Sequence, residues 1–203
     1  MAWLELDQNL FLWINGLSGR FPIIDNIISA IANDYFIIVF CCMIMMALWT
    51  GIKNADNRRH MQKGIMVASS SLGTAQGMVE IINNFWQRPR PFEELDVNLL
   101  FYPPTDPSFP SNSASVLFAM AWGIFLYDRK VGSVLLAIAA SMGFSRVYVG
   151  IHYPLDIIGG AALGFLVALF FTIVFKLLNP LLDRIIDLTI ENNKNYKIII
   201  KNI

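Results

Sequence analysis

The chain has 203 residues, of which 56% are hydrophobic and 15% are charged, whereas soluble domains carry about 25% charged residues. Its 15 Lys and Arg balance its 15 Asp and Glu, so the composition excludes the basic field expected of a nucleic-acid-binding protein. Because long windows hold almost no charge, we expect an integral membrane protein. No basic segment precedes the first apolar stretch, and no signal peptide is expected.

Two helices are predicted before the first membrane span. Residues 4–17 are amphipathic and include Phe11 and Trp13, a composition that suits the membrane interface. Residues 22–31 form a short apolar helix that cannot cross a bilayer alone. Residues 1–34 are therefore expected to be an N-terminal region of interfacial helices.

Five further apolar segments approach the roughly 20 residues that a membrane-spanning helix needs. They are residues 35–52, 64–86, 113–127, 131–148 and 154–178. Asn33 and Asp34 are placed to cap the first segment. Within it, Cys41 and Cys42 are predicted to be packing or lipid-facing residues, because neighbouring helical positions point in different directions and do not form a disulfide.

The predicted fold is an all-α, polytopic membrane helix bundle with five or six transmembrane helices. The count is six if residues 22–31 insert more deeply. In the last span, Gly160 and Gly164 form a GxxxG pattern that favours close helix contact. The transmembrane domain is predicted over residues 35–178, and residues 179–203 are expected to be a cytoplasmic amphipathic tail.

Lysines and arginines are unevenly divided between the two sides of this predicted bundle. Eleven of them lie in the loop after the first span, in the turn after the third, and at the C-terminal end. The positive-inside rule therefore puts the C-terminus on the inner side of the cytoplasmic membrane and the N-terminus on the outer side. Four lie on the outer side: Arg20, Arg88, Arg90 and Arg146. Arginines that do not serve topology suggest a functional site at this outer face.

Several residues on the outer face could bind an anion. Arg90 and Arg146 carry permanent charge on guanidinium groups whose shape matches phosphate oxygens. Ser111 and Asn112 precede the third span, where backbone N–H groups and the positive end of a helix favour anions. A simpler interpretation is that Ser111 or Asn112 only caps a helix.

A histidine with a nearby carboxylate completes the predicted site. Pro154 favours a helix start, which puts Asp156 in the first turn and four residues after His152. A carboxylate there can accept a hydrogen bond from one imidazole nitrogen and make the other more nucleophilic. We therefore expect phosphoryl transfer without a metal or cofactor, in which the imidazole attacks phosphorus and water hydrolyses the phosphohistidine.

Three ordered motifs carry a family resemblance. They are Gln-Arg-Pro-Arg-Pro-Phe at 87–92, Phe-Pro-Ser-Asn-Ser at 109–113, and Ser-Arg-Val-Tyr-Val-Gly-Ile-His-Tyr-Pro-Leu-Asp at 145–156. Together they resemble the type 2 phosphatidic acid phosphatase (PAP2) superfamily, whose pattern is Lys-x6-Arg-Pro, Pro-Ser-Gly-His and Ser-Arg-x5-His-x3-Asp. The third motif is complete. The wording of all three is most similar to the bacterial undecaprenyl-diphosphatases.

The resemblance implies a role for each matched residue. His152 is the expected nucleophile and Asp156 its orienting partner. The expected phosphate cradle consists of Arg90, Arg146, Ser111 and the backbone near Asn112. Arg88 joins the predicted substrate-binding set, although it could instead anchor lipid headgroups.

Two positions depart from the family pattern. Asn83 stands where the first motif has lysine, so it can donate a hydrogen bond but brings no charge. Ser113 stands where the second motif has the histidine that protonates the leaving group, and a serine is a poor acid. A lipid monophosphate leaves more easily than a lipid alkoxide, so Ser113 favours a diphosphate substrate. An engineered or natural loss of activity would give the same residue.

The sequence therefore predicts a lipid phosphatase that converts undecaprenyl diphosphate to undecaprenyl phosphate. Alternatives are a phosphatase for phosphatidylglycerol phosphate, phosphatidate or lipid A 1-phosphate, or a disabled lipid-phosphate binder. A small transporter is disfavoured, because no inverted repeat is evident and the polar residues gather at one surface. Glu80 inside the second span either lines the site, pairs with an arginine or reaches the interface. The predicted partners are the lipid substrate and membrane lipids.

Overall fold

The computed structural model describes residues 2–178, together with residues 180 and 184. This part of the chain is helical and contains no strand. The helices are α1 (Ala2–Asn15), α2 (Pro22–Ile31), α3 (Phe36–Gly51), α4 (Ala55–Phe85), α5 (Pro91–Glu94), α6 (Asn112–Phe125), α7 (Arg129–Tyr148) and α8 (Pro154–Leu177). The all-α prediction is confirmed, whereas the predicted tail at 179–203 lies outside the described residues apart from 180 and 184.

Helix α4 begins nine residues before the predicted span. Asn54 caps it by accepting hydrogen bonds from the backbone N–H groups of Asp56 and Asn57, each at 3.0 Å. The first nine residues of α4 include Arg58, Arg59 and Lys63, so the hydropathy pattern detects only the apolar remainder of this 31-residue helix.

Judged by their length and composition, fewer helices of the structure can cross a membrane than the sequence predicts. Within residues 2–178, the long apolar helices α4, α7 and α8 qualify, and α2 with α3 forms a pair bent by 54° that would count as a fourth. Helix α6 has 14 residues and is about 21 Å long, which is shorter than the roughly 30 Å hydrocarbon core. Five or six spans therefore remain a prediction.

Helix α6 lies at the centre of the bundle and packs against α4, α7 and α8. The GxxxG pattern of α8 faces it. A Cβ on Gly160 would lie 2.9 Å from the Ser111 carbonyl oxygen, and one on Gly164 would lie 2.5 Å from the Ala119 nitrogen. Only glycine permits this approach, which brings the N-terminus of α8 against the N-terminus of α6.

The N-terminal helix α1 has two different faces. Phe11 and Ile14 are buried against the end of α7, where they pack with Val147 and Tyr148. The opposite face exposes Trp3, Leu4, Leu6 and Trp13, as an interfacial helix would. Cys41 and Cys42 are free thiols, and the Asn33 side chain accepts hydrogen bonds from two N–H groups at the start of α3. The domain limits at 34 and 178 remain a prediction.

Candidate active site

The polar loops meet at one end of the bundle. The Ser108 N–H donates to the Arg88 carbonyl at 2.8 Å, and the Ser111 N–H donates to the Asp156 carbonyl at 3.1 Å. Between α7 and α8, Gly150 has a φ of 92°, a conformation that favours glycine. This turn places His152 immediately before α8 and beside the other two loops.

A cavity of about 690 Å³ opens at this end. It is lined by six of the nine predicted site residues: Asn83, Arg90, Asn112, Ser113, Arg146 and His152. Asp34 and Glu80 also line it, and the Glu80 carboxylate accepts a 3.4 Å hydrogen bond from Gln76. Ion pairs of Arg90 with Asp106 at 2.9 Å and of Arg146 with Asp34 border the same space.

The geometry around His152 defines which nitrogen is free to react. Nδ1 lies 3.0 Å from the Ser108 carbonyl oxygen, and because a carbonyl only accepts, Nδ1 carries the proton. Nε2 keeps its lone pair and lies 3.2 Å from an Arg90 nitrogen. Burial lowers the pKa of His152. The Asp156 carboxylate raises this pKa, whereas the charges of Arg90 and Arg146 lower it further. The imidazole is therefore neutral near pH 7, as a nucleophile requires.

The predicted hydrogen bond between His152 and Asp156 is not formed. Their closest N–O distance is 3.7 Å, beyond hydrogen-bonding length. Instead, the Asp156 carboxylate accepts from the Ser108 hydroxyl at 2.5 Å and from the Tyr153 N–H at 2.8 Å. The second bond caps α8, so the capping geometry holds the carboxylate away from the ring. The backbone carbonyl of Ser108 orients His152, and Asp156 contributes its charge.

The other side of His152 holds polar atoms that have no hydrogen-bond partner among the described residues. They are the Ser111 hydroxyl, the Arg146 Nε and the side-chain oxygens of Asn83 and Asn112. The Ser111 and Arg146 side chains are almost completely buried, and buried polar atoms are normally paired. This side can accept several contacts from an anion such as a phosphate group.

Ser113 occupies the wall of the cavity beside Arg146. Its hydroxyl accepts a 2.7 Å hydrogen bond from the Arg146 NH2, and the same nitrogen pairs with Asp34. The Tyr102 hydroxyl donates to the other Asp34 oxygen. Asp34 thus holds the guanidinium, an interaction that the sequence interpretation missed because it assigned Asp34 only to a helix cap.

Arg88 lies on the opposite side of Asp156 from the cavity. Its two terminal nitrogens pair with Asp156 at 2.6 Å and with Asp7 of α1 at 2.7 Å, and its guanidinium lies 4.2 Å from the Tyr153 ring centre. Arg88 therefore does not line the cavity, and the predicted site residue that it pairs with is Asp156. Asp7 and Ser108 were missed because neither belongs to a motif, although an acid on the buried face of an amphipathic helix is a detectable signal.

The site at this end of the bundle combines a buried imidazole, two buried arginines and polar atoms that have no partner among the described residues. The PAP2 superfamily profile matches residues 64–180, more than half of the chain, so the protein belongs to this superfamily. The match includes all three motifs but excludes α1, α2 and α3.

Two relatives are similar over most of their lengths. The bacitracin transport permease protein BcrC of Bacillus licheniformis is 30% identical, with 84% of this chain and 81% of the relative aligned. The undecaprenyl-diphosphatase BcrC of Bacillus subtilis is 28% identical, with 89% of this chain and 90% of the relative aligned. The family and the resemblance to undecaprenyl-diphosphatases predicted from the motifs are therefore confirmed.

Two solved structures share the fold. Aquifex aeolicus LpxE superposes with a TM-score of 0.61 at 26% identity, covering 81% of this chain and 93% of that chain. A PAP2-type phosphatidylglycerolphosphate phosphatase from Bacillus subtilis superposes with a TM-score of 0.62 at 21% identity, covering 86% and 87%. The helical fold of these two structures therefore covers most of this chain.

Proposed function

We propose that the protein hydrolyses undecaprenyl diphosphate to undecaprenyl phosphate and inorganic phosphate. The observation that carries this proposal is the orientation of His152, whose Nδ1 proton is held by the Ser108 carbonyl while Nε2 is next to Arg90. A neutral imidazole held in one tautomer beside two guanidinium groups supports nucleophilic attack on a phosphate.

The reaction would proceed in two steps. The Nε2 lone pair attacks the terminal phosphorus, the bond to the bridging oxygen breaks, and its electron pair leaves with the lipid monophosphate. Water then attacks the phosphohistidine and returns the electron pair to Nε2. Arg90 and Arg146 would neutralise the phosphoryl oxygens, and the Ser111 hydroxyl and Asn112 would complete the cradle.

The choice of a diphosphate rests on Ser113 and on the relatives. A serine hydroxyl cannot supply the 10²–10⁴-fold contribution typical of a general acid, and a departing lipid monophosphate needs that contribution least. The name of the Bacillus subtilis relative supports the same substrate. Asn83 would add a hydrogen bond without the charge of the family's lysine.

The membrane orientation belongs to the same proposal. The excess of Lys and Arg on the side of the α3–α4 loop puts that end of the bundle in the cytoplasm. The site at the opposite end would then face the outer side of the cytoplasmic membrane, at headgroup depth, where a lipid diphosphate presents its phosphates.

Phosphate release from a lipid panel tests the proposal. The purified chain is given undecaprenyl diphosphate, phosphatidylglycerol phosphate, phosphatidate and lipid A, with His152→Ala as the inactive control. The expected result is the highest kcat/KM on the diphosphate, unchanged by EDTA. A preference for a monoester would assign the protein to another lipid phosphatase activity. Binding without phosphate release from any lipid would identify a disabled binder.

A further inference from the structure

Three ion-paired side chains connect the N-terminal helix with the carboxylate of Asp156 beside His152. Asp7 of α1 pairs with one terminal nitrogen of Arg88, and Asp156 of α8 pairs with the other. The exposed fractions of the Asp7, Arg88 and Asp156 side chains are 1%, 13% and 0%. All three charges are thus largely removed from water, where an ion pair that loses one member leaves a costly unpaired charge.

Asp7 makes a second contact at the same place. Its other carboxylate oxygen accepts a 2.8 Å hydrogen bond from the Leu155 N–H, one of the first N–H groups of α8 that has no partner within the helix. Asp7 therefore fixes both Arg88 and the first turn of α8, which carries Asp156. Its neighbour Glu5 on α1 is exposed and provides a matched control.

Arg88 also limits where the Asp156 carboxylate can move. One Asp156 oxygen is held by Arg88, while the other accepts from Ser108 and Tyr153. The Ser108 carbonyl in turn orients the imidazole of His152. Moving Asp156 would therefore disturb the segment that sets the histidine tautomer.

We propose that Arg88 is a positioning residue, held by Asp7, that fixes Asp156 and thereby the imidazole of His152. The proposal rests on the proposed phosphatase function. It makes α1, which lies outside the 64–180 family match, part of the active site rather than only a membrane anchor. Because the outer face of α1 is apolar and exposed, the seating of this helix at the membrane surface would influence the catalytic geometry.

The proposal separates positioning from substrate binding in the kinetics. An arginine that only binds the substrate, equally well in the ground state and the transition state, contributes to KM, whereas a residue that acts through Asp156 changes kcat. Removing the Arg88 cation leaves the Asp156 carboxylate, which raises the pKa of His152, without its paired positive charge, so protonated His152 is favoured and the acid limb of kcat/KM moves to higher pH. Several charged or titratable groups surround Arg88, Asp156 and His152. They are Asp7 from α1, Asp34 from the α2–α3 loop, Glu94 from α5, Arg90, Asp106 and Tyr153 from the loops, and Arg146 from α7.

The test compares Arg88→Met, Arg88→Lys, Asp7→Asn and the double variant Asp7→Asn/Arg88→Met with wild type and Glu5→Gln. Turnover of undecaprenyl diphosphate is measured across pH. Arg88→Met is expected to lower kcat about 10- to 100-fold, the range seen when a residue that orients an active-site ligand is lost. In Arg88→Met, KM is expected to change little, and the acid limb of kcat/KM is expected to move to higher pH. Arg88→Lys is expected to recover part of the lost kcat.

Asp7→Asn is expected to lower kcat less than Arg88→Met, and the double variant to be no worse than Arg88→Met, because both act through one network. A raised KM with unchanged kcat in Arg88→Met would overturn the proposal in favour of substrate binding. If the kinetics of Asp7→Asn are indistinguishable from those of Glu5→Gln, α1 has no role in the active site. If Arg88→Met does not fold, Arg88→Lys and Asp7→Asn decide by the same criteria.

The two proposals fail in different ways. A wild-type chain that releases no phosphate from any lipid diphosphate refutes the proposed function. An active wild type whose Arg88→Met variant keeps the kcat and the pH profile of Glu5→Gln refutes only the positioning role.

Discussion

The two sides of the His152–Asp156 pair differ in how completely their polar atoms are paired. On the cavity side, the side-chain oxygens of Asn83 and Asn112 and the Arg146 Nε have no partner among the described residues. On the opposite side, each Asp156 oxygen is hydrogen-bonded, and Asp7 and Arg88 complete the network. The incomplete side suits a ligand that supplies the missing contacts, whereas the complete side holds the nucleophile in place.

The largest expected effect is the loss of the nucleophile. His152→Ala should reduce phosphate release to background, because it removes the nitrogen proposed to attack phosphorus. His60, the other of the two histidines in the sequence, lies in α4 with its Nε2 2.9 Å from the Tyr127 carbonyl, and His60→Ala should stay active. Retained activity in His152→Ala would reject the mechanism.

A cradle arginine should have the next largest effect. Arg146→Met removes a charge from the phosphate side, and kcat/KM is expected to fall about 10²–10³-fold, as when an oxyanion-stabilising donor is lost. Arg129 at the start of α7 lies over the Phe125 ring, so Arg129→Met is the matched control. Equal kinetics in the two variants would show that the unpaired side of the pair does not bind substrate.

The pH profile reports the state of the imidazole. Burial lowers the pKa of His152 from its ordinary value of 6.5, and only the neutral form attacks phosphorus. Activity should therefore persist as pH falls through 6.5 and decline only at the lower folded-state pKa. The measurement is kcat/KM against pH, which reports the free enzyme. An acid limb above pH 6.5 would contradict this environment for His152.

The smallest expected effect concerns the leaving group. Ser113→His restores the acid of the family motif next to Arg146, so phosphatidate hydrolysis should rise more than undecaprenyl diphosphate hydrolysis. Ser115→His is unsuitable as a control because Ser115 is fully buried, so wild type is the reference. Equal gains on the two lipids would remove the argument for a diphosphate. No gain on either, from an inactive wild type, would favour the disabled binder.

The motif spacing predicted much of the cavity wall from sequence. The His152 side of the site is local, since Pro154 and Asp156 begin α8 directly after it. The GxxxG pattern predicted a close helix contact, and the structure shows that the partner is α6, which brings Ser111 close. The hydropathy pattern likewise predicted that these segments are helices. The number of membrane crossings was harder to predict. The 54° bend between α2 and α3 is not visible in composition, and the short segment at 113–127 is predicted as a span although α6 has only 14 residues.

The remaining contacts depend on distant parts of the chain. Asp7 and Leu155 are 148 positions apart in the sequence, and Arg146 and Asp34 are 112 positions apart. No local sequence pattern therefore predicts either contact. Arg88 and Arg90 share one Arg-Pro repeat, yet Arg90 contacts His152 while Arg88 contacts Asp156. The sequence predicts substrate binding for both arginines, and the repeat cannot distinguish a ligand contact from a positioning contact.

The central claim is that His152 Nε2 attacks the terminal phosphorus, and trapping the phosphoenzyme tests it most directly. Undecaprenyl diphosphate labelled at the terminal phosphate is mixed with the chain, quenched with alkali within one turnover, and the labelled peptide is mapped. The account predicts an acid-labile, alkali-stable phosphate on His152 that is absent in His152→Ala. Label on another residue, or single-turnover phosphate release by His152→Ala at the wild-type rate, would contradict it.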